Sequence, residues 1–230
     1  MEKNFKLFYT EEGRGTPLVL LHGNGEDSSY FSAQMEYLKN DYRVIAVDTR
    51  GHGRSPRGTA PFTLRQFAED LKELLDQMEL RRILLLGFSD GANIAMLFAL
   101  SHPEYVEKLI LDGGNTRPSG VKLRYQIPIV LGWCAALAAA RFDQKAVKKK
   151  ELLGLMVKEP HIRPEDFAGF SVPTLVMAGT KDMIRDSHTR KLQRSIPGSR
   201  LCVMDGTHFI AAERPEEFNR HVHEFLEEGS

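Results

Sequence analysis

Apolar residues fall along this chain in two alternating patterns. Short apolar runs at 18–21, 44–47, 83–86, 109–111 and 201–204, and the stretch 172–177 with Pro173 at its start, read as strands, most of them buried. Between them, apolar residues recur at helical spacing: Phe31, Met35 and Leu38; Leu64, Phe67, Leu71, Leu74 and Met78; Leu192 and Ile196; Phe218, Val222 and Phe225. Thr63-Leu64-Arg65-Gln66 has the form of a capping box, and Pro215 opens the last helix. Phe5, Leu7 and Tyr9 alternate with polar neighbours, which predicts an edge strand before the turn Gly13-Arg14-Gly15. Strands alternating with helices over short links predict an α/β fold: a mostly parallel central sheet with helices on both faces.

The alternation breaks once. Residues 117–171 read as helices with no buried strand among them, which is long for a connection in such a fold. Residues 1–116 and 172–230 are therefore expected to form one core, and 117–171 a helical insertion. Within it Trp133, Ala135, Ala136, Ala138 to Ala140 and Phe142 predict a helix with an apolar face packed on the core. Lys148-Lys149-Lys150-Glu151 reads as a solvated face. The insertion is expected to shield an apolar pocket, with Ala138 among its lining residues.

Chemistry concentrates at the strand ending in Gly87-Phe88-Ser89-Asp90-Gly91, which matches G-x-S-x-G and runs into the apolar helix 92–100. That spacing calls for a strained strand-to-helix turn. Glycines at 87 and 91 avoid collision between its two limbs, and Ser89 projects above the sheet at a helix N-terminus. A serine hydroxyl needs a base to take its proton and a third group to orient that base. Asp182 follows one later strand and His208 follows the last, where functional groups gather in open α/β sheets. Asp186 competes with Asp182 but is better placed to cap the helix near Ser187. Of the other histidines, His188 falls inside a helix and His221 and His223 on the terminal one. The oxyanion donors are expected to be the backbone N–H of Asp90 and that of Asn24, with Gly25 as an alternative. His22 reads as a hydrogen-bonded brace for that loop.

These stretches resemble the α/β-hydrolase superfamily over nearly the whole chain. His22-Gly23-Asn24-Gly25 resembles its oxyanion loop, Asp48-Thr49-Arg50-Gly51-His52-Gly53-Arg54-Ser55 its structural D-x-R-G-x-G-x-S loop, and Gly206-Thr207-His208 its histidine loop. The resemblance implies that 117–171 is a helical cap and that Ser89, His208 and Asp182 act as nucleophile, base and orienting acid. Related dehalogenases and many epoxide hydrolases carry Asp at the nucleophile position, so Ser89 argues against both. Asp90 stands where many members have Met or Gln, and its carboxylate beside an oxyanion site would slow acylation.

The expected function is a serine hydrolase, carboxylesterase-like, cleaving a small acyl compound through an acyl-enzyme. Lactone opening, amide hydrolysis and carbon–carbon cleavage use the same apparatus, and a small-molecule receptor of the same fold with negligible turnover is a further alternative. A dinucleotide site at Gly23-Asn24-Gly25 with Asp48 is weaker: Ser28 stands at the third glycine position, and that reading leaves Ser89 and His208 unexplained. No cofactor or metal is expected. Lys and Arg number 31, as do Asp and Glu, so nothing in the net charge points to nucleic acid or an anionic membrane. Cys134 and Cys202 lack metal-like spacing and read as reduced packing residues, and the first residues carry no signal-like segment. A cytoplasmic protein is expected.

Overall fold

Apolar residues alternate in their direction along each inner strand, and that alternation builds two separate hydrophobic layers. In the computed structural model, which describes residues 5–228, strands β1 (Tyr9–Glu12), β2 (Thr16–Leu21), β3 (Tyr42–Val47), β4 (Ile83–Phe88), β5 (Val106–Asp112), β6 (Thr174–Gly179) and β7 (Arg200–Met204) form one sheet. Their order is β1-β3-β2-β4-β5-β6-β7. Only β1 runs antiparallel to its neighbour. Val19, Leu21, Ile45, Val47, Ile83 and Leu85 face one side, against α2 (Leu64–Gln77) and α3 (Asp90–Ser101). Leu18, Leu20, Val44, Ala46, Leu84 and Leu86 face the other, against α1 (Ser32–Leu38) and α8 (Pro215–Glu227). A period of two in the strands therefore serves both helix layers.

The edge strand begins later than its alternation predicts. Phe5 and Leu7 are buried but lie outside the ladder, which starts at Tyr9. Phe5 instead lies under the Arg50 guanidinium, 3.7 Å from its ring centroid. Arg50 is fully buried and makes two hydrogen bonds of 2.6 Å to Asp70, its Nε to Oδ2 and Nη2 to Oδ1. The capping box at Thr63 forms by half: Thr63 Oγ1 accepts the Gln66 N–H, while Gln66 Nε2 turns to Asp70.

Between β5 and β6 the chain forms α4 (Leu123–Ala139) and α5 (Gln144–Lys158), packed on each other. The second joins the core: Leu155, with Ile162, Phe167 and Phe170 after it, belongs to the α2/α3 layer. Glu151 pairs with Arg57, and Glu159 accepts the Leu64 N–H. The expected packing of the Trp133–Phe142 helix on the core is not found. Ala136 is the one buried residue of α4, and Ala138 is exposed.

The remaining helices are α6 (Asp186–Ser195) and the short α7 (Ile210–Glu213). Asp186 is the first residue of α6 rather than its cap. The cap position is Arg185, and Asp186 pairs with Arg190 in solvent. His188 is half-buried, accepting the Thr116 N–H at 3.0 Å, and burial lowers its pKa to about 4. No helix among the described residues is long and apolar enough to cross a membrane.

Candidate active site

The strand order reverses direction between β2 and β4, and a crevice outside the carboxyl ends of strands is expected at such a point. The loops leaving these two strands carry His22–Gly25 and Ser89. Ser89 sits at φ 54°, ψ −118°, the strained conformation its flanking glycines predict. A Cβ on Gly87 would lie 2.2 Å from the Gly91 carbonyl oxygen, and one on Gly91 would lie 2.0 Å from that of Leu21. The Ser89 N–H donates to the Asp112 carbonyl, which fastens the turn to β5.

His208 and Asp182 reach Ser89 from neighbouring loops that are tied together. Thr180 N–H donates to Met204 O and Lys181 N–H to Gly206 O, both at 2.8 Å. His208 Nε2 lies 2.9 Å from Ser89 Oγ, and its Nδ1 lies 2.7 Å from Asp182 Oδ1. A carboxylate only accepts, so Nδ1 carries the proton and Nε2 is left to accept from the serine. Asp182 Oδ1 also accepts the Ile184 N–H at 2.8 Å, which holds the carboxylate still. Both Asp182 and His208 are buried. Asp186, on α6 and ion-paired elsewhere, has no part in this chain of contacts.

The Asp90 N–H occupies the first position of α3, where an amide has no intrahelical acceptor, and the helix N-terminus favours negative charge there. Asn24 lies opposite. Its side-chain amide donates to Asp90 Oδ2 at 2.8 Å and to the Leu152 carbonyl of α5 at 2.9 Å. The Asp90 carboxyl is thus turned aside toward Asn24 and Asn93, and burial raises its pKa against those hydrogen bonds. Gly25, the alternative donor, takes a positive φ of 81° at the turn. His22 braces the loop as expected: Nδ1 donates to Gly23 O at 2.7 Å, and Nε2 accepts the Thr49 N–H at 3.0 Å.

Several contributors gave no sequence signal. Asp112 ends β5 fully buried, and among the described residues neither of its carboxyl oxygens has a hydrogen-bond partner. Burial, with Asp182 adding to it, pushes its pKa well above the usual carboxylate range. Gly113 passes so close beneath His208 that a Cβ would lie 2.7 Å from the ring. Glu26 accepts the Gly23 N–H, and Asn93 and Asn115 bond each other behind Asp90. Apart from the local Glu26–Gly23 bond, each depends on a contact between distant segments.

Residues 16–147 match the family described as alpha/beta hydrolase fold, which covers more than half of the chain. The chain belongs to that family. Among alpha/beta hydrolases, it is 30% identical to the 2-hydroxy-6-oxononadienedioate/2-hydroxy-6-oxononatrienedioate hydrolase 2 of Pseudomonas putida, over 98% of this chain and 93% of that one. The structure of a thermophilic esterase from Thermogutta terrifontis superposes with a TM-score of 0.79 at 25% identity, covering 96% of this chain and 92% of that one. The enol-lactonase from Burkholderia xenovorans LB400 shares the fold with a TM-score of 0.82 at 24% identity, covering 99% and 98%. The alpha/beta hydrolase fold and hydrolase-named relatives support hydrolase activity.

Proposed function

We propose that this chain is a serine hydrolase that cleaves a small carboxylic ester through an acyl-enzyme. The observation that carries the reading is the continuous line from Asp182 Oδ1 through the His208 ring to the oxygen of the strained Ser89. Ser89 Oγ attacks the acyl carbon while its proton passes to His208 Nε2, and Asp182 stabilises the imidazolium that forms. The N–H groups of Asn24 and Asp90 hold the developing oxyanion. Collapse expels the alcohol, which takes the proton from His208; water then attacks the acyl-enzyme by the same route. Residues 1–116 and 172–230 are read as the catalytic core and 117–171 as its cap. The free thiols of Cys134 and Cys202 fit a reducing cytoplasm.

The test is reaction with a fluorophosphonate, followed by peptide mapping, beside hydrolysis of p-nitrophenyl esters of graded chain length. A single adduct on Ser89 with loss of ester turnover is expected. An adduct elsewhere, or an active protein that takes none, would overturn the reading. A carbon–carbon bond substrate is the second reading, favoured by the name of the Pseudomonas putida relative. It predicts Ser89-dependent turnover of a 2-hydroxy-6-oxo dienedioate in excess of any ester.

A further inference from the structure

Helix α4 leaves a large apolar surface uncovered. Leu123, Ile127, Leu131, Leu137 and, just past its end, Phe142 are all exposed, Leu131 by 65% and Phe142 by 92%. The helix packs on α5 and presents the rest of its length, about 25 Å, to solvent. Isolated exposed leucines are ordinary; a contiguous row of them on one helix marks an interaction surface.

Charge identifies what covers it. Residues 122–150 hold seven basic side chains and one acidic, which leaves 24 basic against 30 acidic in the rest of the chain. The balanced total therefore hides a strong segregation. Arg124 stands at the start of α4 and Arg141 just past its end; Lys145, Lys148 and Lys149 follow on one exposed face of α5. Among the described residues none of these five pairs with a carboxylate. The acidic residue, Asp143, spends its side chain capping α5, and Glu151 is held by Arg57.

We infer that α4 and its cationic border dock this protein on a lipid surface that carries anionic headgroups. A helix lying in the plane of such a surface buries its apolar side chains among acyl chains, while the cations meet the headgroups. A second copy is a poorer occupant. In a two-fold dimer the patch would meet itself, so that five unpaired cations would face five more. The row is also too short to cross a bilayer, so the helix lies on the surface rather than through it.

The experiment is sedimentation of the full chain with vesicles of phosphatidylcholine alone and of phosphatidylcholine mixed with phosphatidylglycerol. Binding to the mixed vesicles, weakened by salt, with little to phosphatidylcholine alone, is the expected result. The pair Leu131→Asp and Phe142→Ser should lower partitioning by at least about tenfold, and so should Lys148→Glu with Lys149→Glu. Both pairs lie on exposed positions, and unchanged circular dichroism confirms that they fold. Ser89→Ala should bind as the parent does, so the result is read apart from hydrolysis. Absence of binding to mixed vesicles overturns the inference. So does equal binding to both kinds, or a dimer in light scattering that Leu131→Asp dissolves.

Discussion

Helices α3 and α4 are equally apolar in sequence, and neither has a polar face, yet their fates are opposite. Nine of the twelve residues of α3 are buried, against Ala136 alone in α4. Apolarity all round says that a helix gains by burial; it does not say what will cover it. The turn at Ser89 brings α3 back onto the sheet within one residue, so its partner is decided locally. Helix α4 begins after a long excursion from β5, and it is its neighbour α5 that reaches the core, through Leu155.

The sharpest way to break the comparison is through the chemistry assigned to the α3 end of the molecule. Replacing Asp182 by Asn keeps the shape of the group bonded to His208 but removes its charge and can fix the wrong tautomer. Turnover of an ester should fall by roughly three to four decades, with little loss of stability, a magnitude carried over from the same Asp→Asn change in a serine protease triad. Asp186→Asn, which alters only an exposed ion pair, should leave turnover within a few-fold. Steady-state kinetics on the two purified variants decide it, and the reverse pattern would mean that the orienting acid has been misassigned.

A methyl group placed on each helix comes next. On Gly91 of α3 it would meet the Leu21 carbonyl oxygen at 2.0 Å, an oxygen fixed in the sheet. Gly91→Ala should cost about 3 kcal/mol or more by urea denaturation. On Gly132 of α4 the nearest atom is the end of the Leu153 side chain at 3.2 Å, which can turn away. Gly132→Ala should stay within about 1 kcal/mol of the parent, helped by the gain in helix propensity. Similar costs at both positions would show that α4 is held as tightly as α3.

Those contrasts explain what could be read from the sequence. The sheet, the turn at Ser89 and the approach of His208 and Asp182 to it were legible because each rests on local chemistry. An unbroken apolar run makes a strand, two glycines permit the elbow, and a residue just past a strand reaches the sheet's carboxyl edge. Phe5 read as strand because its alternation is genuine, but its ring is claimed by Arg50 from the loop after β3. The surroundings of α4, the contact between Asn24 and Leu152, and the burial of Asp112 all depend on packing between distant segments. No period of two or 3.6 residues encodes those.

Asp112 permits a test of the buried region by pH. Its carboxyl is held neutral to higher pH in the folded protein, by burial first and Asp182 second. Unfolded, it ionises near its ordinary value of about 3.9. The neutral form's contribution to stability is therefore complete below that value and is lost as pH rises toward the folded one. Asn cannot ionise in either state. Asp112→Asn should accordingly gain on the parent by up to about 1.4 kcal/mol per pH unit above about pH 4, until the folded carboxyl ionises. Denaturation of both proteins across this range is the measurement. A difference that stays constant with pH would show that the carboxyl is not held neutral.

The smallest expected effect separates the two helices most directly. Leu131 on α4 is 65% exposed, whereas Leu155 on α5 is 2% exposed and packed in the α2/α3 layer. Truncating a buried leucine loses its transfer free energy and leaves a cavity, so Leu155→Ala should cost about 2–5 kcal/mol. Leu131 has most of its surface in water already. Glutamine has a helix propensity close to that of leucine and needs no buried partner at such a site. Leu131→Gln should therefore change the unfolding free energy by no more than about 0.5 kcal/mol, in either direction. Urea denaturation of both variants makes the comparison. A cost for Leu131→Gln approaching that of Leu155→Ala would mean that the outer face of α4 is covered in solution, and that α4 differs from α3 only in what it packs against.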